Sequence, residues 1–393
     1  MQKPRIGTFS AFAFGLVYRS DRRMEYFKRF VSNTNGGTSN QYYFAMDKDE
    51  VRTGRVFYKI AVGGTYPYSL LFSNSLDSTF RKGQKNQPCD AWEILHIGVA
   101  RWPSDAFKGD FFDDTVADAI NRRSATFRPL TFDGSCTKAV APGERFYSDP
   151  MELTFCAGDY LCLEITCRGG RIPCHPETRL PAFVLGESGW RYSTEVPTAA
   201  MIGCERAVKA TVGFVGDSIT QGIGAPINSY AHWSAVLAEK LGSEYAYWNL
   251  GIGCGRANDF ATDGVWAYKA KRNDILIVCF GVNDILHGFS EEQIKRDLRT
   301  TVELLRKDGR RVILQTVPPF DYDDVHGRLW ESVNRYIRTE LSAQVDMVFD
   351  VVPYLSDGAR RPYAAKYGGH PNEEGGAVWA QALYEQIKSK GLL

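Results

Sequence analysis

No stretch of this 393-residue chain reaches the roughly 18 consecutive apolar residues that a membrane-spanning helix needs, so no helical span is expected. An excess of charge is missing too. Lys and Arg number 47 against 46 Asp and Glu, a formal net charge of +1, which gives no electrostatic pull toward nucleic acid or an anionic membrane. The nine cysteines contain no C-x-x-C pair. They are odd in number and several lie inside apolar runs such as Tyr160-Leu161-Cys162-Leu163, so buried reduced thiols are expected rather than a disulfide framework or a zinc site. Lys3 and Arg5 precede an apolar stretch from Phe9 to Val17, but Tyr18-Arg19-Ser20-Asp21-Arg22-Arg23 follows in place of a small-residue cleavage site. A cytoplasmic location is therefore expected. Internal repeats and low-complexity tracts are absent as well.

What is present is enough apolar material, 44% of residues, for two cores. The texture changes near residue 205. Before it, short strand-like runs such as Tyr66 to Phe72 and Tyr160 to Thr166 alternate with turns rich in Gly, Pro, Asn and Asp. That pattern predicts a β-sandwich, because each short strand must bury one face against a second sheet. A helix is expected to interrupt it at 115–123. After residue 205 the order becomes strand, loop, helix, repeated. Five runs read as buried parallel strands: Ala210 to Val215, Tyr245 to Leu250, Asp274 to Phe280, Arg311 to Val317 and Val345 to Val351. Helical periods fill the gaps at Trp233 to Leu241, Glu291 to Lys307, Val325 to Leu341 and Glu374 to Lys388. The expected fold class is thus α/β, a parallel sheet covered on both faces by helices over 206–393, preceded by an all-β domain over 1–205.

Open parallel sheets place ligand sites beyond the carboxyl ends of their strands. The first strand runs into Gly216-Asp217-Ser218-Ile219-Thr220, which puts a serine hydroxyl at the mouth of the sheet, near a helix start whose N–H groups can hold an oxyanion. By itself this tripeptide is better explained by helix capping. The second strand ends in the glycine-rich loop Asn249-Leu250-Gly251-Ile252-Gly253-Cys254-Gly255-Arg256, and the third in Phe280-Gly281-Val282-Asn283-Asp284. The Asn283 amide can donate to an oxyanion. Past the fifth strand, Gly368-Gly369-His370-Pro371-Asn372 offers His370 as general base for Ser218. Four such loops in this order are hard to explain as turn chemistry alone.

Over about residues 208–393 this order resembles the SGNH, or GDSL-type, serine hydrolase superfamily. The resemblance implies Ser218 as nucleophile, His370 as general base and then acid, and Asn283 with the Ser218 N–H as oxyanion donors. The remaining donor would come from the second-block loop. The family's glycine falls there at Cys254, between Gly253 and Gly255. The family's acid falls at Tyr367, three residues before His370, and a tyrosine offers no carboxylate to orient an imidazole. Either another carboxylate, Asp357 being one candidate, serves His370, or the site works as a Ser-His dyad. Asp217 and Asp284 read as loop organisers. His96, His175, His232, His287 and His326 read as packing or surface histidines, with His232 placed to line the pocket.

The β region, with Arg128 to Gly134, Ala141 to Glu144 and Ser148 to Leu153, is similar in order and in short phrases to the jelly-roll-like part of two-domain carbohydrate acetylesterases. Tyr42, Tyr43, Trp92 and Trp102 could stack on sugar rings, although core packing is the commoner role. The expected activity is hydrolysis of small O-acyl esters, acetyl groups on carbohydrate foremost, with no metal or organic cofactor. The expected partner is an oligosaccharide or other small ester, not nucleic acid or membrane. A generic short-chain esterase or lipase and a silent glycan-binding protein on the same fold are the rivals. A homo-oligomer is left open.

Overall fold

Apolar side chains fill the middle strand of the C-terminal sheet on both faces, and that burial sets the architecture of the second half of the chain. The structure, a computed structural model, describes residues 25–78, 86–107, 120–121 and 125–393. Its parallel sheet has the order β14 (Tyr245–Asn249), β13 (Ala210–Gly216), β15 (Ile275–Cys279), β16 (Arg311–Gln315), β17 (Met347–Phe349). Every residue of β15 is buried, as a strand covered by helices on both faces requires. Each large aliphatic side chain so buried contributes about 1.5–3 kcal/mol. The edge strand β17 is shorter than its apolar run because only β16 pairs with it.

The helices form where their caps and periods say they should. In Glu291–Arg306, Ser290 accepts from the Gln293 N–H at 3.2 Å, two glutamates occupy the first turn, and Ile294, Leu298, Val302 and Leu305 line the buried face. Asp323 caps Asp324–Tyr336. Asn372 caps Glu373–Ser389, which packs on Trp233–Leu241 through stacked Trp379 and Trp233, 4.9 Å apart. Trp233 is therefore a core residue.

Before residue 205 the strands are antiparallel and form two sheets. One joins β1 (Val31–Ser32), β12 (Met201–Cys204), β3 (Gly64–Ser73) and β7 (Arg145–Tyr147), with β8 (Met151–Phe155) also on β3. The other has the order β11 (Gly189–Tyr192), β10 (Ala182–Gly186), β2 (Tyr42–Lys59), β9 (Tyr160–Cys174), β4 (Trp92–Trp102), β5 (Arg128–Pro129), with β6 (Lys138–Val140) on β4. Val56, Ile94 and Leu163 of the second sheet pack with Leu70, Phe72 and Ile202 of the first, which makes a sandwich. Trp92 and Trp102 are buried in it, and the half-exposed Tyr42 and Tyr43 stack on each other. The helix expected at 115–123 lies outside the described residues except for 120 and 121. Phe9 to Val17 lies outside them too. Among the described residues no helix is long and apolar enough to cross a membrane.

The sandwich and the parallel sheet share buried surface. Tyr26, Phe30, Leu71 and Met201 belong to the same apolar cluster as Val212 and Trp248. The Trp248 Nε1–H donates to Ala200 O at 2.9 Å, and Lys269 is ion-paired with Asp77, both side chains no more than 1% exposed. The Asn40 N–H also donates to Asp77, at 2.7 Å.

Candidate active site

The strand β13 ends at Gly216, and Asp217 turns the chain into the short helix Ser218–Gln221 by accepting the Ile219 N–H at 2.9 Å. This leaves the Ser218 N–H in the first turn, where no intrahelical acceptor exists. Burial pushes the Asp217 carboxyl up to about 7, against the pull of its backbone donors. Asp217 thus organises the turn. Neighbouring strands put the other loops alongside: Gly216 pairs in register with Cys279 of β15, so Ser218 and Asn283 leave adjacent strands on the same edge of the sheet.

Ser218 Oγ lies 2.8 Å from His370 Nε2, the distance at which the hydroxyl donates to a neutral imidazole. The histidine loop is pressed against the nucleophile loop at Gly224, whose φ of +107° and whose closeness to the His370 and Pro371 carbonyls leave no room for a Cβ. Phe320 meets the imidazole edge-on at 5.3 Å and 77°. Burial holds the His370 pKa below the usual imidazole value. Glu177 opposes that shift, and Arg179 adds to it. Among the described residues no group accepts a hydrogen bond from His370 Nδ1.

Asp357 does not serve His370. The segment 356–365 closes on itself through the Ser356–Ala365 bridge, the Asp357 N–H donates to Ala364 O at 2.7 Å, and the carboxylate faces Arg360 Nε at 3.6 Å. Tyr367 lies beside Gly375, with the Lys366 ammonium over its ring.

In the second-block loop the Gly255 N–H donates to Ile252 O at 3.0 Å and closes a turn, so Gly255 does not supply an oxyanion donor. The Gly253 and Cys254 N–H groups make no hydrogen bond among the described residues. Cys254 occupies the left-handed position of that turn, φ +59°, where a glycine would sit without strain. Its thiol plays no ionised part, since burial raises its pKa. The Asn283 Nδ2 donates to Gly255 O at 3.1 Å, which ties the third loop to the second and leaves one amide hydrogen. Asp284, pushed up to about 7 by burial, accepts from the Ala257 and Asn258 N–H groups at 3.0 and 3.3 Å and so pins the chain beyond this turn.

The remaining histidines are placed as follows. His232 is buried, with Nδ1 2.9 Å from Ser234 Oγ, whose hydroxyl donates to Thr220 O, and Gly222 packs on its ring. It braces the nucleophile helix from behind. His175 is buried, His326 pairs with Asp323, His287 meets Arg256, and His96 is exposed. Among the described residues no three His, Cys, Asp or Glu side chains converge as a metal set.

The site also contains residues with no motif to announce them. The loop after β9 crosses from the sandwich to the nucleophile: the Gln221 Nε2 donates to Glu177 O at 2.5 Å, and Arg179 donates to Ala225 O. Gln41 donates to the Glu177 carboxylate and to Gly253 O, the latter at 3.1 Å.

A parallel sheet with a serine beyond its first strand, hydrogen-bonded to a histidine beyond its last, defines an α/β serine hydrolase. Residues 214–378 match the model of the GDSL-like lipase/acylhydrolase family, and this part of the chain is a domain of that family, a hydrolase of esters. Solved structures similar to the chain include an active-site mutant of a family two carbohydrate esterase from Clostridium thermocellum, 12% identical with a TM-score of 0.39 over 93% of this chain and 99% of that one. A G-D-S-L lipolytic protein from Veillonella parvula is 20% identical, TM-score 0.39, over 45% of this chain and 98% of that one. The psychrotrophic esterase EstA from Pseudoalteromonas sp. is 16% identical, TM-score 0.37, over 46% and 97%. No curated protein matches the chain.

Proposed function

We propose that the protein is a serine esterase that removes short acyl groups, O-acetyl groups on carbohydrates foremost, through an acyl-enzyme on Ser218. The observation that carries this is the 2.8 Å contact between Ser218 Oγ and His370 Nε2 at the carboxyl end of the sheet. In this reading residues 206–393 are the catalytic domain, and residues 1–205 an accessory sandwich that walls the cleft.

Ser218 Oγ attacks the ester carbonyl while His370 Nε2 takes its proton. The tetrahedral oxyanion is held by the Ser218 N–H, by Gly253 or Cys254 N–H, and by the remaining Asn283 amide hydrogen. His370 returns the proton to the departing alcohol oxygen and then activates water to release the acid. With no carboxylate on Nδ1 among the described residues, the pair works as a dyad, its ring held by Phe320 and by the Ser218 contact. The proton inventory closes with these groups alone.

Two features support a carbohydrate alcohol over a long acyl chain. The opposite charges of Glu177 and Arg179 both act on His370, which makes the surroundings of the base polar. The resemblance of the first half to the β region of carbohydrate acetylesterases points the same way.

The test is a comparison of acetylated xylan and mannan oligosaccharides with 4-nitrophenyl esters of increasing chain length. Release of acetate from the oligosaccharides, with activity falling as the acyl chain grows, is expected. Rates that climb with chain length, with the oligosaccharides untouched, would reject the assignment. The Asn283→Ala variant should lower kcat by about 10²–10³-fold with little change in KM, because the amide meets the oxyanion rather than the ground-state ester. A KM effect alone would remove Asn283 from the oxyanion site.

A further inference from the structure

Tyr367 stands at the position of the family's acid and Asp357 is turned away from His370, yet one carboxylate still acts on the imidazole by its charge. It comes from the sandwich. The Glu177 backbone carbonyl accepts from Gln221, three residues after the nucleophile, at 2.5 Å. Its N–H donates to Gln41 Oε1 at 3.2 Å. Its carboxylate accepts from Gln41 Nε2, which also donates to Gly253 O. A Cβ placed on Gly253 would collide with that carboxylate and with the Gln41 amide. Glu177 is thereby clamped between the nucleophile helix and the oxyanion turn by three hydrogen bonds, one to each of its N–H, its carbonyl and its carboxylate.

We propose that Glu177 is a positioning residue of the hydrolytic site, its carboxylate acting by its field in place of a triad acid, no such acid meeting His370 among the described residues, and stabilising the His370 imidazolium formed as Ser218 is deprotonated. The inference rests on Ser218 and His370 acting as nucleophile and base. Among the described residues the charges that act on His370 are Glu177, which favours the protonated ring, and Arg179 from the same loop, which disfavours it. No hydrogen bond joins Glu177 to His370, so the effect is electrostatic and screened by salt. It also makes the β region a part of catalysis, since the charge arrives only when the sandwich is docked.

The sign follows directly. Removing the carboxylate lowers the His370 pKa, so the acid limb of kcat/KM moves to lower pH. The base is then weaker, so the plateau falls. The full-length protein and its Glu177→Gln, Glu177→Asp and Arg179→Gln variants would be assayed with 4-nitrophenyl acetate from pH 4 to 9, at low salt and at 1 M NaCl. Glu177→Gln should move the limb down by a few tenths of a unit and lower the plateau about 3- to 10-fold at low salt, with the difference shrinking at 1 M, where the Debye length is about 3 Å. Glu177→Asp should restore part of both. Arg179→Gln should move the limb the other way. A lowered plateau with an unmoved, salt-independent limb would show Glu177 to be only a strut and overturn the proposal. An unchanged profile in Glu177→Gln would overturn it equally. Near-normal activity in Ser218→Ala would instead overturn the reading of the site on which it rests.

Discussion

Ser218→Ala should cut ester hydrolysis to a small residue, with kcat falling by about 10³–10⁶-fold, and the Ser218→Ala/His370→Ala double variant should lose little more. The size follows from the chemistry. An alcohol is a poor nucleophile until a base takes its proton, and in the proposed mechanism His370 Nε2, 2.8 Å from the hydroxyl, is that base. The near-absence of a further loss follows from the two groups acting as one unit: without the hydroxyl there is no proton for the imidazole to take. His370→Ala alone should therefore resemble Ser218→Ala. The oxyanion donors remain in all three variants, so hydrolysis should stay above the uncatalysed rate. Initial rates on 4-nitrophenyl acetate with active-site titration would measure this. Losses that multiply in the double variant would mean that the two side chains act in separate steps, contrary to the geometry.

The second large effect concerns stability. Lys269→Met should destabilise the fold by about 3–5 kcal/mol, because it strands the Asp77 carboxylate in the interface between sandwich and hydrolase sheet. Asp77 is fully buried, and among the described residues its remaining donor is the Asn40 N–H at 2.7 Å. Breaking a buried pair by deleting one partner is costly because the survivor keeps its desolvation penalty without the compensating charge. Adding Asp77→Asn to Lys269→Met should recover part of the loss, since a neutral amide needs no counter-ion, and the recovered fraction measures the coupling. Urea unfolding followed by tryptophan fluorescence would report it, helped by Trp248 and Trp266 near this interface. A Lys269→Met protein as stable as the parent would show the pair to be solvated.

The catalytic loops were legible because their chemistry is local. Gly216-Asp217-Ser218, Gly281-Val282-Asn283-Asp284 and Gly368-Gly369-His370 each follow a strand whose apolar run is plain, and a parallel sheet aligns strand ends. The helix Trp233–Leu241 was readable to the residue, because Gly242 stops it. Asp217 and Asp284 could be read as loop organisers for the same reason: each caps a backbone only a few residues or one loop away.

What surrounds His370 was not legible. Asp357 was a reasonable acid on sequence distance alone, yet the Ser356–Ala365 bridge and Arg360 turn it elsewhere. Gly255 was a reasonable donor by its neighbourhood, yet its N–H closes the turn that begins at Ile252. Which N–H of a glycine-rich loop is free depends on turn geometry, and a run of Gly, Ile, Gly, Cys and Gly admits several turns.

The sequence alone determined the α/β half, the order of its strands and helices, and Ser218, Asn283 and His370 as the residues at their ends, because hydrophobic period and turn chemistry are properties of neighbouring residues. Tertiary structure decided the rest. It brought Gln41 and Glu177, 177 and 41 positions before Ser218, onto the loop of Gly253, buried Lys269 against Asp77, and turned Asp357 away from His370. None of these has a local signature, since each contact is made between segments that meet only when the sandwich packs against the sheet.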